Sequence, residues 1–286
     1  MANQLRFRSD HVGLLIAPPD GGEGDALRRK LIAMQRAANC SVATDGELFR
    51  SHFIEAIQTA DAPILAEAEG KPMVALANMD VKVSLPSASA LMERTGMTEG
   101  AAVGAIRREV AALIEAGVPY IQLNGTAYGP LLDEGRDIDA QLAADRAVVD
   151  GLAGGEEHRL ALRIGRQGAS PEWNADDARL KALFGLGYDR YLLDFGTQPR
   201  GFEVLALIPD PAMVVLGLID QSVAELQPID PILDLIDAAA EVIDGDRLAL
   251  SPRGGFSAKS GLSWADQDRK LAQVADVCVR WWGFAR

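Results

Sequence analysis

MVVLGLIDQSVAELQPIDPILDLIDAAAEVIDGDRLALSP, residues 213–252, reads as a strand, a helix and a second strand. Met213–Asp220 is a nearly continuous apolar run of strand length, the pattern of a parallel strand covered on both faces. Pro231–Ile243 places its apolar residues three and four apart, as an amphipathic helix does. Arg247–Pro252 returns to strand character. Two buried strands joined through a helix form a parallel crossover unit.

The same unit recurs along the chain. Further strand candidates are His11–Ile16, Ser41–Gly46, Val81–Pro86, Tyr120–Gly125, Leu160–Gly165 and Arg190–Phe195. Thr98–Ala116, Ile138–Gly151 and Trp264–Trp282 carry helical stripes, with Ser263 placed to cap the last. Eight strands with intervening helices, no GxGxxG after the first strand and no linker favour a closed barrel over an open doubly wound sheet. The expected fold class is therefore α/β, a (β/α)8 TIM barrel, as a single domain over residues 1–286. Pro18–Gly24, Thr126–Gly135 and Gly151–Glu157 read as surface loops.

Composition limits the partners. Lys and Arg total 28 against 41 Asp and Glu, a net charge of −13, with no basic run, so a nucleic-acid partner is not expected. No apolar run approaches the ~18 residues of a membrane span, and MANQLRFRSD lacks the apolar centre of a signal peptide, so the expected location is cytoplasmic, without a membrane partner. Cys40 and Cys278 lack CxxC spacing and read as buried small hydrophobes. Trp281 and Trp282 read as outer-layer packing, and a homo-oligomer is left open.

In a barrel of this type, chemistry sits where the strands end at their C-termini. Those ends bring the carboxylates Glu47, Asp194 and Asp220, the guanidinium groups Arg163, Arg166 and Arg253, the imidazole of His11, the amide of Asn124 and the hydroxyl of Ser84. Such convergence suits a small-molecule site. Asp194, Glu47, Asp220 and His11 are the acid–base candidates, and Arg163, Arg166, Arg253, Asn124 and Ser84 the substrate-binding candidates. For His11 a hydrogen-bonded strand histidine is the competing reading, and His52 and His158 are read as non-functional.

These residues sit in stretches that resemble a known family. DHVGLLIAPP (10–19) is similar to the DHVGSLLRPP opening of the short relatives of cobalamin-independent methionine synthase that hold only its C-terminal catalytic domain. VATDGELFR (42–50) resembles the VTDGE motif, and VKVSLP (81–86), VPYIQLN (118–124), VVLGLID (214–220), LALSPRGGFSA (248–258) and LAQVADVCVRWWG (271–283) follow in the family's order. The resemblance covers essentially the whole chain. It implies a zinc ion held by the His and Cys of an HxCR motif, a Glu at the next strand end and the Cys of LSPQCGF. Here HxCR reads Arg163-Ile164-Gly165-Arg166, the Glu is Asp194 and the Cys is Gly254. The thiol-substrate positions differ as well: Gly-Ser of the first strand is Gly13-Leu14, and the Asp-Glu-Pro after YIQ is Asn124-Gly125-Thr126, while Glu47 is kept.

Zinc takes about four N, S or O donors, so no metal is expected here. No cofactor is expected to bind tightly. The resemblance implies methyl or alkyl transfer, or demethylation, with tetrahydrofolate as a candidate co-substrate, and Arg163 with Arg166 or Arg253 implies a small anionic molecule. A metal-free lyase using carboxylate acid–base chemistry and a non-catalytic small-molecule binder are the alternatives. An Arg163–Asp194 ion pair would fill the space of the ion.

Overall fold

The computed structural model describes residues 7–50, 52–165, 173, 176–195 and 201–285. Its sheet has seven parallel strands in sequential order: β1 Val42–Ala43, β2 Asp80–Pro86, β3 Tyr120–Asn124, β4 Arg159–Ile164, β5 Arg190–Asp194, β6 Met213–Ile219 and β7 Leu248–Pro252. The helices among the described residues are α1 Gly24–Ala37, α2 Phe53–Thr59, α3 Lys71–Leu76, α4 Ala88–Thr95, α5 Glu99–Glu115, α6 Tyr128–Asp133, α7 Asp139–Val149, α8 Asp177–Phe184, α9 Ile229–Ala240 and α10 Trp264–Trp282. A π-turn, Ala66–Gly70, runs directly into α3.

Side chains alternate across the curled sheet. Val83, Leu85, Ile121, Leu123, Leu162, Leu193, Leu216 and Leu250 pack outward in one large core with the helices. Val42, Tyr120, Ala161, Leu192, Val215 and Ala249 form a separate cluster with Phe7 on the concave face. The same alternation puts Ser84, Gln122, Asn124, Arg163 and Asp194 on that concave face.

Two expectations are corrected. His11–Ile16 is not a strand. The chain meets the sheet earlier, through a single parallel bridge between Ser9 and Leu250. The Asp10 N–H donates to Leu250 O (2.9 Å), the Leu250 N–H to Arg8 O (2.9 Å) and the Ser41 N–H to Ser9 O (3.0 Å), so residues 8–10 touch both sheet edges. Gly13, at φ +123°, then takes the chain out of extended geometry. Thr126–Gly135 is not a plain surface loop either, since it contains α6, and Tyr128 is fully buried with its hydroxyl donating to Asp145 (2.8 Å).

Other elements follow local chemistry closely. α10 begins at a capping box in which the Ser263 side chain accepts from the Asp266 N–H and the Asp266 carboxylate accepts from the Ser263 N–H. α5 starts after Thr98, whose hydroxyl accepts from the Ala101 N–H. Trp281 donates to Asp237 and Trp282 to Gly245 O, seating both indoles in the outer layer. Both cysteines are buried. No described helix is long and apolar enough to cross a membrane.

Candidate functional site

The concave face has two tiers. The tier at the strand starts is a closed charge network. Lys82 Nζ lies 2.7 Å from Asp10 Oδ1 and donates to His11 O at 2.5 Å; Tyr120 OH donates to Asp10 Oδ2 at 2.7 Å; and Arg190 lies 3.5 Å from that oxygen. Tyr120 stacks on Phe7 at 5.0 Å, with Arg190 over both rings. All six residues are buried. Burial works against the charge of Asp10, but Lys82 and Arg190 outweigh it and hold its carboxyl below the usual range. Burial pulls Lys82 down to about 8, against the attraction of Asp10. Reading only the strand ends misses this tier; charged residues at inward strand starts, Lys82 in VKVSLP and Arg190, are its sequence signals.

The tier at the strand ends holds the candidate site. Ser84 Oγ donates to Glu47 Oε1 at 2.5 Å. On the neighbouring strand, Gln122 Nε2 donates to Asn124 Oδ1 and to Val12 O, both at 2.8 Å, and Gln122 Oε1 is buried without a partner. Asn124 is in register with Arg163 on β4. Arg163 Nη2 donates to Asp194 Oδ2 at 2.9 Å and to Arg253 O at 3.0 Å, while its Nε is buried and has no partner among the described residues. Arg253 pairs with Asp220 at 3.2 Å. The predicted residues Glu47, Ser84, Asn124, Arg163, Asp194, Asp220 and Arg253 thus follow one another around the rim.

Two glycines make this rim possible. A Cβ on Gly165 would lie 2.5 Å from Arg163 Cζ and would overlap Arg163 Nη2 and Asp194 Oδ2. A Cβ on Gly217 would lie 2.8 Å from Asp194 Oδ1. Burial pushes the Asp194 carboxyl up to about 7, against the opposing pull of Arg163 and Arg253. Asp220, a third exposed, is held below its usual range: partial burial is outweighed by hydrogen bonds from Ser222 and the charge of Arg253.

Glu47 is set in place by a strained turn. Gly46 and Glu47 both have positive φ, +74° and +59°. The Glu47 N–H donates to Asp45 Oδ1 at 3.0 Å. Arg50 anchors the far side of the turn. It grips both oxygens of Glu69, which the π-turn presents, and donates to Ser84 O at 2.6 Å. Burial raises Glu69 to about 7 against the pull of Arg50, and burial also raises Asp45. Arg50, Glu69, Gln122 and Gln221 were not picked out by sequence reasoning. The π-turn that delivers Glu69 leaves no mark in the residue pattern.

His11 is not brought to this rim by any contact among the described residues. Its ring is enclosed, and burial, with Lys82 adding, lowers it to about 4, so it is neutral at pH 7. Arg166 lies outside the described residues. His158 bonds to Leu152 O, and His52 is the left-handed residue before α2.

No family model matches the chain. Among curated proteins it is 28% identical over 199 residues to YxjG and 27% identical over 198 residues to YxjH, both of Bacillus subtilis (strain 168) and both described as uncharacterized. Each match takes in 62% of this chain and 52% of the relative, so the chain spans about half the length of the curated relatives it matches. A putative vitamin-B12 independent methionine synthase from Listeria monocytogenes superposes with a TM-score of 0.77 at 21% identity, over 97% of this chain and 98% of that one. A B12-independent methionine synthase from Shewanella sp. W3-18-1, solved with selenomethionine, gives 0.73 at 18% over 94% and 95%. A methyltransferase from Methanosarcina mazei gives 0.62 at 14% over 96% and 93%. The chain therefore has an α/β fold with a curled parallel sheet, shared with TIM-barrel-like proteins of the methionine synthase and methyltransferase type.

Proposed function

We propose that the strand-end tier binds a small anionic molecule and acts on it by methyl or alkyl transfer, with tetrahydrofolate as a candidate co-substrate. In this reading residues 8–10 serve as the eighth strand of a closed barrel. The observation that carries the proposal is Arg163: a buried guanidinium at a strand end whose Nε has no partner among the described residues. A guanidinium in such a place is a natural anchor for a carboxylate or phosphate. Arg253 adds a second positive group across the rim, and Asn124 supplies an amide beside it. Glu47, fixed by Ser84, offers a carboxylate to a positive or hydrogen-bond-donating part of the ligand.

Asp194 favours a second reading, a lyase. A carboxyl raised to about 7 is suited to give or take a proton near neutrality. Both readings place the ligand against Arg163, with Asp194 beside the reacting centre.

Calorimetric titration with tetrahydrofolate, 5-methyltetrahydrofolate, small thiols and small carboxylates tests the binding. For any probe that binds, Arg163→Met is expected to weaken affinity roughly 10- to 100-fold, the loss of a charge-assisted hydrogen bond worth about 1.5–3 kcal/mol. Arg163→Lys, which keeps the charge, serves as the folding control. Unchanged affinity in both variants would remove Arg163 as the anchor. Binding without turnover of any probe would favour a non-catalytic binder.

A further inference from the structure

The four positions where the resembled family carries zinc ligands come together here. Arg163 and Asp194 are in contact, Gly165 lies against both, and Arg163 reaches the carbonyl of Arg253, next to Gly254. Their chemistry does not fit the ion. Zinc is held by about four N, S or O donors at roughly 2.0–2.3 Å. These positions supply one carboxylate, already paired with a permanent cation.

The space is filled as well. The room that a side chain at 165 would need is taken by the guanidinium and the Asp194 carboxylate. A Cβ at 254 would overlap the Gln221 amide, whose Oε1 is buried and unpartnered. Neither cysteine is at hand: Cys278 lies against Arg8 O, and Cys40 is buried beside Ser41 at the start of β1. Among the described residues no group of three His, Cys, Asp or Glu side chains is placed to hold a metal.

We infer that Arg163 is the resident cation of this centre, seated where the resembled family carries its metal, and that Gly165 and Gly254 are the openings that admit Arg163 and Gln221. The centre has a fixed single positive charge and no exchangeable coordination position. It can orient an anion through N–H groups, but it cannot take a ligand atom into direct coordination. This inference does not depend on the proposed function: an anion can bind or fail to bind whether or not zinc does.

The test uses the full chain, expressed with zinc in the medium and dialysed against metal-free buffer. Elemental analysis is expected to find no stoichiometric zinc, and cobalt(II) titration to give no thiolate-to-cobalt absorption. R163H/G165C/D194E/G254C is expected to hold one zinc per chain and to show that absorption with cobalt. Stoichiometric zinc in the wild-type protein would overturn the inference. So would a quadruple variant with wild-type circular dichroism that binds neither metal. If the quadruple variant does not fold, R163H/G165C carries the cobalt measurement and is judged by the same two results.

Discussion

Replacing Gly165 by Ala adds one methyl group at a place where the structure has none to spare. The new Cβ would sit 2.5 Å from Arg163 Cζ, about 1 Å inside the ordinary carbon–carbon contact distance of 3.5–4.0 Å. It would also overlap Asp194 Oδ2, so both members of the ion pair must move. On an exposed site such a shift is cheap. Here Arg163 is 9% exposed and Asp194 4%, so both are largely enclosed by protein. Displacing the pair approaches the cost of breaking a buried ion pair, about 3–5 kcal/mol. For a chain of this length, that corresponds to a melting temperature lower by roughly 6–10 °C, at about 2 °C per kcal/mol.

Urea denaturation of four proteins isolates the cause: wild type, G165A, R163M/D194L, and the triple variant. R163M/D194L replaces the pair by apolar groups of similar bulk and is expected to be near-neutral, as such exchanges often are. In that background a flexible methionine can yield, and G165A should cost under about 1 kcal/mol, leaving a coupling energy of about 2–4 kcal/mol. A G165A cost below about 0.5 kcal/mol in the wild type, or an equal cost in both backgrounds, would refute the argument that Gly165 exists to admit the pair.

Further outcomes follow from the same geometry. Gly254→Ala meets only the end of the partly exposed Gln221 side chain, and is expected to cost less than about 1 kcal/mol by the same urea assay. His11 titrates near 6.5 unfolded but only near 4 folded, so the unfolded chain takes the proton first and stability is lost as pH falls from 6.5 to 4, by about 3 kcal/mol in all. His11→Gln should flatten that decline in urea midpoint, and an unchanged slope would exclude His11 as its source. Lys82→Met removes the nearest cation from Asp10, leaving Arg190, Tyr120 and the His11 N–H, and should cost about 3–5 kcal/mol in thermal melts, with Asp10→Asn recovering part of it in the double variant.

Much of the fold was legible because strand runs such as VVLGLID and helix caps such as Ser263 act locally. β6 and α10 needed no knowledge of distant residues. The first strand was misread because its pairing is set by tertiary closure. The apolar run begins at His11, but the bridge is made at Ser9, before the chain leaves at Gly13. The rim was legible in its outline, since strand-end polarity named Arg163, Asp194, Glu47 and Asn124. Their supports were not. Arg50 and Glu69 are 19 residues apart and meet through a π-turn that has no sequence signature. The role of Gly165 shows only once the guanidinium is in place, because a glycine in a strand end reads first as a turn.

The lower tier has a consequence for traffic through the protein. With Asp10, Lys82, Tyr120 and Arg190 bonded to one another, the concave face is filled by charge pairs at the strand starts. On the proposed function, a ligand of Arg163 would enter by the strand-end mouth and leave the same way. Two reactants would have to share that doorway, so order of entry would be imposed by geometry. The molecule that sits deepest would then arrive first and depart last.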